Sequence, residues 1–528
     1  MLHESLHRLR GWRFIAFNLC LGFAHVLVIF NAGAYIAMLP RVAGGLAIPP
    51  SFATWTQTDY MVALALAYPL GGWLARAGSP RRVVVGALLG FAVCSWLCAR
   101  ADALYPYLLA RIGLGLCGGL SLQAGQSLLL DEYPAARKSL GISVWSFFTL
   151  MPFSIGPPVG GWIADTLGWR WLFWLNLPVA FLAAAGVALL LRGRPESRAA
   201  RSPFDWIGCA LCSVVWLGLQ TLLNQGNDRD WLASHALQAT GFVVAAAACL
   251  WVVHAWHAPH PYVNLRLLAN RNFAIGAGAL FFGFLSFQGL LSALIVQLQL
   301  NLGYSSWLAG LVFLTTALCA KPVAAVMHLA VRRVDARLLA SLSLTGFAAC
   351  YLWLSRFDDA ASFAALLWPK VLEGACLGAF FVPLTTLTLQ GLPAERHGAA
   401  LELANLMRIA SGAIGISLQG VVLYRRTPFH LQRWAEARDR WDGATAPLLD
   451  AFMTLGFDEA QAGARLIRFA ARQAAIRALN DGFWLAGGVC LILAAVVWFA
   501  HPPVKAVTES RAAALRRDQD EASAEEAV

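Results

Sequence analysis

Seven ionisable side chains lie inside long apolar stretches of the sequence. Carboxyl groups in such places can bind and release protons, and neighbouring cations influence when they do so. If the stretches are membrane helices, each charge costs about 2.5–3.5 kcal/mol, so these residues should face a wet crevice or each other. The predicted chemistry is therefore proton binding. The seven residues are Asp59, Arg111, Lys321, Lys370, Glu373, Glu402 and Arg408.

Asp59 stands in TWTQTDYMVALALAYPL (54–70), which otherwise is typical of an apolar helix. From the helical rise, it lies roughly 9 Å below the helix start, and Arg111 and Asn31 reach similar depths in their own segments. Burial and a nearby guanidinium act on a carboxyl group in opposite directions, so alternating access of water and substrate could load and release one proton per cycle. Three interpretations stay open: this coupling role, a static Asp59–Arg111 pair, and an acid that reaches water at the membrane surface.

The other charges fall in the second half of the chain. Lys370 and Glu373 are three residues apart on one helical face, a spacing that more often stabilises a helix than moves a proton. Glu402 and Arg408 also share a face, and Lys321 lies at about the depth of Glu402. One hypothesis is that these two unusual charges, Lys321 and Glu402, compensate each other. The predicted proton-coupling residues are Asp59, Arg111, Glu402 and Arg408, and the predicted intramembrane charge-pair residues are Lys321, Lys370 and Glu373.

The elements that must position these charges are long apolar helices. Of the 528 residues, 59% are hydrophobic and 13% are charged, and the mean hydropathy is +0.61. Soluble domains are about 25% charged. A membrane helix needs roughly 20 apolar residues, and continuous runs favour helices over a barrel. Fourteen spans are predicted: 14–39, 53–75, 83–99, 104–130, 140–164, 171–191, 206–224, 236–254, 273–299, 306–331, 338–355, 361–389, 397–424 and 481–500.

Lysine and arginine predict the orientation of these spans. The first span follows the basic stretch 1–13 without a small-residue cleavage site, so we expect it to be retained. An even number of spans puts both termini on one side, and the basic residues crowd that side, which predicts cytoplasmic termini. The net charge of +11 thus reflects topology, and no nucleic-acid partner is expected. All 11 cysteines lie in apolar segments, which predicts no disulfide framework.

Two parts of the chain match at a constant offset of 259 residues. Several matched positions in register predict an internal duplication. Two similar halves with the same orientation, separated by two extra helices at 206–254, form a transporter-like plan with the substrate site near mid-membrane. The matches are Arg111-x-x-x-Gly115 with Lys370-x-x-x-Gly374, Gly119 with Gly378, and Pro134-x-x-Arg137 with Pro393-x-x-Arg396.

Motifs along almost the whole chain resemble one known family. They are GGWLARAGSPRR (71–82), Arg111-x-x-x-Gly115, GPPVGG (156–161), WRWLFWLNLP (169–178), NF (272–273), FVPLTT (381–386), GLPAER (391–396) and WFAHPP (498–503). Together they resemble the major facilitator superfamily, and within it the fourteen-helix drug:proton antiporters of the EmrB/QacA type, the EmrB branch most of all. The resemblance implies an all-α integral membrane protein with two six-helix bundles and two extra transmembrane helices.

The resemblance also implies a domain plan. An N-terminal six-helix bundle (1–200) and two linker helices (201–260) precede a C-terminal bundle (261–503) and a cytoplasmic tail (504–528). The periplasmic loop 425–480 lies within the second bundle. Its apolar pattern predicts amphipathic helices, which either dock a periplasmic adaptor of a pump that includes an outer-membrane channel or form a solvated cap. The apolar residues of the pattern are Phe452, Leu455, Leu466 and Phe469.

Further site residues follow from the same motifs. Prolines kink a helix and glycines allow close helix approach, and the resemblance implies that the antiporter motif seals the pore, although a packed kink without a transport role is the alternative. The antiporter motif residues are Gly156, Pro157, Pro158, Gly160 and Gly161, and those of the intracellular loop motif are Gly72, Gly78, Arg81 and Arg82. Aromatic residues with sparse polar groups predict an apolar substrate pocket. The predicted substrate-binding residues are Asn31, Gln288, Phe284, Phe287, Gln299, Phe381 and Asn405.

The chain departs from the family pattern at several charged positions. Arg76 stands where the loop motif usually carries an acid, and Asn31 replaces the first-helix acid. Leu114 replaces a glutamine. Glu402 and Lys321 occupy positions of small polar residues. These differences leave open which carboxyl group carries the proton.

Together these features predict a proton-driven multidrug efflux transporter of the cell inner membrane, working by rocking of two bundles. Small apolar or amphipathic compounds are the expected substrates, the proton is the coupling ion, and no cofactor or metal is expected. No G-x-x-x-x-G-K-[ST] loop occurs, so ATP drive is not predicted, and the 11 scattered histidines do not suggest an enzyme. A dedicated metabolite exporter, a proton-coupled uptake system and a sensor that transports nothing remain alternatives.

Overall fold

The structure, a computed structural model, describes residue 9 and residues 11–134, 138–192, 203–358, 362–440 and 442–502. The tail 504–528, Arg137 of the repeat and most of the basic stretch 192–201 lie outside the described residues. Throughout the described ranges the secondary structure is helical, with turns and short 3-10 segments between the α-helices.

Fifteen α-helices are described, and fourteen coincide with the predicted spans. Twelve are long and apolar enough to cross a membrane. The other two predicted spans are α2, which carries the polar stretch TWTQTD (54–59), and α5. The helices are α1 Trp12–Gly45, α2 Pro50–Ala77, α3 Pro80–Arg100, α4 Leu104–Glu132, α5 Lys138–Thr166, α6 Trp171–Leu190, α7 Trp206–Gln225, α8 His235–His257, α9 Arg271–Leu300, α10 Ser306–Ala330, α11 Ala336–Leu354, α12 Phe363–Leu389, α13 His397–Arg440, α14 Asp442–Thr454 and α15 Glu459–Val496.

The helices form two bundles that meet along matching seams. Helices α1–α6 pack together, and α9–α13 pack together with α15. The bundles contact each other mainly along α2–α13 and α5–α10, and also along α1–α9. We call the side where α1 begins and α15 ends the termini side, and the opposite side the distal side.

The internal repeat reappears as a repeated helix contact. Glycines on α4 lie against backbone oxygens of α2, and glycines on α12 lie against backbone oxygens of α10 in the same way. A Cβ atom at any of these positions would collide with the neighbouring helix, so only glycine allows this approach. The facing pairs are Gly115 with Tyr60, Gly119 with Leu64, Gly374 with Thr316 and Gly378 with Ala320.

Of the two extra helices, α7 joins both bundles. Asn224 of α7 donates to Thr58 Oγ1 of α2 at 3.1 Å and accepts from Ser417 Oγ of α13 at 2.6 Å. Gln220, one turn away on α7, donates to the same serine. Helix α8 packs chiefly on α7 and is mostly exposed, as expected of a helix that faces lipid.

The described residues of 425–480 are mainly helical, as the apolar pattern predicted. Helices α13 and α15 extend beyond the predicted spans into this segment, and α14 lies between them in the chain. Asp481 of α15 accepts hydrogen bonds from Arg426 and His430 of α13, which holds the two extensions together. Leu466 is buried, so part of the apolar pattern packs between these helices.

Candidate functional site

An arginine with no acidic partner lies where the two bundles meet. Arg408 of α13 is half-buried, and its guanidinium carbon is 5.5 Å from the ring centre of Phe284 and 5.9 Å from that of Phe381. Its Nη2 donates to Asn405 Oδ1 at 3.4 Å. In the described part of the chain, no carboxylate lies within 4.0 Å of it. A cation held on aromatic faces keeps its capacity to bind an anion or a hydrogen-bond acceptor.

A chain of hydrogen bonds crosses from this arginine to the other bundle. Asn405 Nδ2 donates to the Tyr68 hydroxyl of α2 at 3.3 Å, and Tyr68 donates to Gln126 Oε1 of α4 at 3.2 Å. Because Asn405 and Tyr68 belong to different bundles, their hydrogen bond must break if the bundles separate here.

A buried amide beside the same interface has no partner. Gln288 of α9 is fully buried, and neither Nε2 nor Oε1 makes a hydrogen bond with the described residues. A Cβ atom at Gly412 of α13 would lie 3.3 Å from Gln288 Cγ, 3.2 Å from Phe284 and 2.7 Å from Met61 of α2, so three helices converge here. Leaving such a group unsatisfied costs about 1–3 kcal/mol, and a bound molecule would satisfy it. This supports Gln288 as a substrate-binding residue.

Three predicted substrate-binding residues lie within helix contacts instead. Asn31 is fully buried and exchanges hydrogen bonds with Asn176 of α6, at 3.0 and 3.1 Å. Phe287 is 1% exposed in the core of the second bundle. Gln299 donates to the Ala37 oxygen of α1 at 3.1 Å near the distal side. The amides of Asn31 and Gln299 are engaged and Phe287 is packed in the core, so the geometry adds no support for a substrate role.

Arg111 is held inside the first bundle. It is fully buried, Nε donates to the Thr56 oxygen at 3.0 Å, and Nη2 donates to Gln57 Oε1 at 2.9 Å. Its guanidinium carbon lies 3.9 Å from the ring centre of Tyr35 and 4.4 Å from that of Tyr60. Hydrogen bonds and aromatic rings therefore fix this cation among α1, α2 and α4.

The charge of Arg111 acts on Asp59, but the two side chains form no ion pair within 4.0 Å. The interpretation of a static Asp59–Arg111 pair is therefore not supported. Met61 contacts Gly412 across the bundle interface. Residues two apart on a helix point in nearly opposite directions. The side chain of half-buried Asp59 therefore points away from α13, and its role in proton coupling stays a prediction.

The predicted Lys370–Glu373 pair is present and completely buried. Lys370 Nζ lies 2.7 Å from Glu373 Oε2, with side-chain exposures of 1% and 0%. Thr316 of α10 donates to the same oxygen at 3.1 Å, while Glu373 Oε1 has no partner among the described residues. This geometry fits a structural pair.

The hypothesis that Glu402 pairs with Lys321 is wrong. Lys321 is half-buried on α10, and α10 and α13 are not packed neighbours. Glu402 instead approaches Arg76 over Gly72 of α2. A Cβ at Gly72 would lie 3.0 Å from Glu402 Oε1 and 3.3 Å from Arg76 Nη1. Position 76, where the family pattern has an acid, carries an arginine in this chain, and the acid Glu402 lies near it on the facing helix α13.

The antiporter motif lies at a triple helix crossing. Gly156 and Gly160 of α5 lie against the backbone of Ala34 in α1, and Gly161 lies against Ser306 at the distal start of α10. Gly310 of α10 packs on the backbone of the two motif prolines, Pro157 and Pro158. These contacts join the bundles in their distal halves, as a seal there requires.

The intracellular loop motif forms the turn between α2 and α3. Ser79 caps α3 by accepting from the backbone N–H of Arg82 at 3.4 Å, and Arg81 donates to the Ala188 oxygen of α6 at 2.7 Å. Gly78 ends α2, with its N–H bonded to the Leu74 oxygen. The motif residues Gly78, Arg81 and Arg82 therefore lie at helix ends and help to anchor them.

Sequence reasoning missed the residues that connect the bundles. Tyr68 and Gln126 continue the hydrogen-bond chain from Arg408, and Asn224 and Gln220 tie α7 to both halves. A usable signal existed in α7, because Gln220 and Asn224 are four apart in an apolar helix and share a face. No comparable signal marked Tyr68.

Comparison with known proteins gives a consistent picture. Residues 21–416 match the Major Facilitator Superfamily. The chain is 30% identical over 496 residues to "Multidrug export protein EmrB" of Escherichia coli (strain K12), covering 94% of this chain and 97% of that protein. It is equally similar, with the same coverages, to "Fatty acid resistance protein FarB" of Neisseria gonorrhoeae.

A solved structure supports the fold. A bacterial homologue of the human lysosomal transporter Spinster, inward-facing and unoccupied, superposes with a TM-score of 0.62 at 14% identity. The match covers 93% of this chain and 97% of that one. At this identity the likeness shows the fold alone, which is two helical bundles of the same arrangement.

Proposed function

Since the chain belongs to the major facilitator superfamily and to its EmrB-type multidrug efflux transporters, we propose that it exports amphipathic compounds in exchange for protons. Membership in this family implies transport rather than catalysis. The proton drive, the substrate class and the residues that carry them are proposals.

The substrate site is inferred from Arg408, which has no carboxylate within 4.0 Å in the described part of the chain. A guanidinium on the faces of Phe284 and Phe381 offers charge to an anionic group and apolar surface to the rest of the molecule. The unsatisfied amide of Gln288 adds a donor and an acceptor, and Asn405 orients the guanidinium. The preferred substrates are therefore amphipathic molecules with a carboxylate or another acceptor-rich head. The relative named for fatty acid resistance fits this class.

Transport proceeds by alternating opening of the two sides. Opening the distal side breaks the contact of Gly161 with Ser306 and the hydrogen bond from Gln299 to Ala37. Opening the termini side moves Glu402 of the second bundle away from Gly72 of the first. The hydrogen bond between Asn405 and Tyr68 lies between these regions, beside the substrate.

Two carboxyl groups are candidates for the proton. Asp59 and Glu402 lie in membrane-spanning helices and have no ion-pair partner within 4.0 Å among the described residues, so either can be protonated without breaking a salt bridge. Glu373 lacks this freedom because Lys370 holds it. We name Asp59 first, since the charge that acts on it belongs to the fully buried Arg111, whereas the cation near Glu402 is the exposed Arg76.

The orientation completes the proposal. The distribution of basic residues favours cytoplasmic termini, and in this proposal the substrate enters from the termini side and leaves at the distal side of the inner membrane. There the extensions of α13 and α15, with α14, offer a surface to a periplasmic adaptor of a tripartite pump.

The substrate site is tested in proteoliposomes with an imposed proton gradient. R408Q removes the charge and keeps a polar side chain, and the matched control R170Q removes a half-exposed arginine that pairs with Asp102 and donates to the Ala101 oxygen. We expect R408Q to reduce efflux of an amphipathic carboxylate at least tenfold and efflux of a neutral amphiphile much less. Equal efflux rates of wild type and R408Q for every substrate would show that Arg408 does not belong to the substrate site.

Proton coupling is tested with D59N and E402Q in the same vesicles. We expect D59N to retain substrate binding and to lose acceleration by the gradient, because an amide cannot carry the proton. E402Q tests the second candidate. If both variants keep full gradient-driven efflux, neither carboxyl group is the coupling site.

A further inference from the structure

A second cation without an acidic partner lies in the second bundle, at Lys321 of α10. Its side chain is half-buried, and no carboxylate of the described residues lies within 4.0 Å of it. The neighbouring helix α12 has a single acid, Glu373, and Lys370 holds it. A charge inside a membrane-spanning helix is costly and usually faces a cavity or a partner, so the direction of Lys321 indicates its role.

The side chain of Lys321 points toward the interface between the bundles. In the distal half of α10, Gly310 packs on the two motif prolines of α5, which belongs to the first bundle. Lys321 follows eleven residues later, which is three helical turns, so it lies within about 20° of the same face. Helix α12 packs on a different face of α10, because Gly378 contacts Ala320 and Val323.

The first bundle offers no acid opposite Lys321. Helices α5 and α10 are antiparallel, since Gly161 lies on Ser306 and the motif prolines, which precede Gly161, lie on Gly310. The same register places the middle of the stretch 139–155 of α5 opposite Lys321. The sequence of this stretch contains neither Asp nor Glu. Neither α12 nor this part of α5 therefore supplies an anion for the ammonium group.

Lys321 and Arg408 lie at similar depth in the membrane. Helices α10 and α12 run side by side in the same direction, and Ala320 of one faces Gly378 of the other. Phe381 follows Gly378 by three residues, roughly 4.5 Å along the helix. Its ring centre is 5.9 Å from the guanidinium carbon of Arg408. Lys321, Phe381 and Arg408 are all half-buried, so the bundle interface is not fully packed at this depth.

The two cations are too far apart for one carboxylate to bind both. Helices α10 and α13 are not packed neighbours, and α12 contacts each of them. Packed helix axes are about 8–10 Å apart, so cations on helices separated by another helix lie on the order of 10 Å apart. Two uncompensated positive charges that face one crevice repel each other, and a ligand with two anionic groups removes this repulsion. Its apolar part can lie on the rings of Phe284 and Phe381.

We propose that the substrate site extends from Arg408 to Lys321 and prefers amphipathic molecules with two anionic groups joined by an apolar chain or ring system. One anionic group binds the guanidinium of Arg408, and the other binds the ammonium of Lys321. This inference rests on the proposed export function and narrows its substrate class.

The test compares α,ω-dicarboxylates of increasing chain length with monocarboxylates of the same length, in proteoliposomes with an imposed proton gradient. We expect the KM of one dicarboxylate to be roughly tenfold lower than that of its matched monocarboxylate, because a second charge-assisted contact forms. K321Q should bring the ratio of the two KM values close to one, and K321R should preserve it. The matched control R332Q removes an exposed cation just beyond the end of α10 and should also preserve the ratio.

The ratio of KM values within one variant does not depend on the amount of folded protein, so partial misfolding of K321Q does not imitate the expected result. Equal KM values for dicarboxylates and monocarboxylates of every length, or an unchanged ratio in K321Q, would overturn the second cation site. Export of monocarboxylates would in that case leave the proposed function standing.

Equilibrium binding of the same ligand pairs to the detergent-purified full-length protein separates the site from transport, because no gradient is needed. The dissociation constants should show the same preference and the same loss in K321Q. A protein that binds dicarboxylates through Lys321 but exports nothing would overturn the proposed function and leave the site standing. A wild-type protein that binds neither kind of carboxylate would overturn both.

Discussion

The two halves of the repeat hold a buried cation at the same position in different ways. Arg111 of α4 and Lys370 of α12 occupy equivalent places, 259 residues apart, and both are at most 1% exposed. Arg111 is compensated by a backbone oxygen, an amide oxygen and two tyrosine rings. Lys370 is compensated by a carboxylate on its own helix.

The difference shows which part of the repeat is under geometric constraint. The glycines one turn and two turns beyond each cation make the same close contacts in both halves, since a helix pair cannot approach without them. A buried cation can be compensated by any acceptor within hydrogen-bond distance, whether a carboxylate, an amide oxygen or a backbone oxygen. In the first half, neutral hydrogen-bond acceptors compensate Arg111 and the nearby acid Asp59 has no ion-pair partner. In the second half, Glu373 neutralises Lys370 directly.

The largest effect on stability is expected from breaking the buried Lys370–Glu373 pair. K370M leaves Glu373 charged and fully buried without a partner, which should destabilise the protein by about 3–5 kcal/mol. Denaturant unfolding in detergent, followed by tryptophan fluorescence, measures this. A loss below about 1 kcal/mol would show that the ion pair contributes little to stability and would remove it from the comparison.

A somewhat smaller loss is expected in the first half. R111M removes two hydrogen bonds and the stacking on Tyr35 and Tyr60 but leaves no buried charge behind, so we expect about 3 kcal/mol in the same assay. R111K is the matched control and should restore only part of the loss, because an ammonium cannot reproduce the planar fork. Full rescue by lysine would contradict the proposed geometry.

Removing both members of the pair should cost little. K370M with E373L replaces two buried charges by apolar groups of similar size, and the double variant should lie within about 1 kcal/mol of wild type. The double-variant cycle with both single variants gives the coupling energy. A double variant as unstable as K370M would show that Glu373 has a role beyond balancing Lys370.

The smallest effect is expected at an exposed pair of the first bundle. Arg170 and Asp102 lie 2.8 Å apart, but Asp102 is 87% exposed, so R170Q should change stability by about 0–1 kcal/mol. This value sets the scale for the buried cations. A loss of stability comparable to that of R111M would mean that burial does not explain the difference between the buried cations and this exposed pair.

Sequence patterns anticipated the fold better than the site. The spans, the repeat and the Lys370–Glu373 pair follow from apolar run length, register and helical spacing, which depend on neighbours along the chain. Arg408 and Gln288 were selected by type, and the structure brings them to the bundle interface. Asn31 and Gln299 were selected by the same criterion and lie in helix contacts, because depth along a helix does not specify the direction of a side chain.

Composition and spacing alone determined that the chain spans a membrane with long helices, that it contains two related halves, and that charges lie within them. Those properties come from local periodicity and from the cost of placing polar groups in lipid. Only the tertiary structure decided that Glu402 faces Arg76 instead of Lys321, that Asp59 points away from α13, and that Lys321 faces the interface between the bundles. These facts depend on rotation and pairing of helices distant in sequence, which many side-chain contacts determine together.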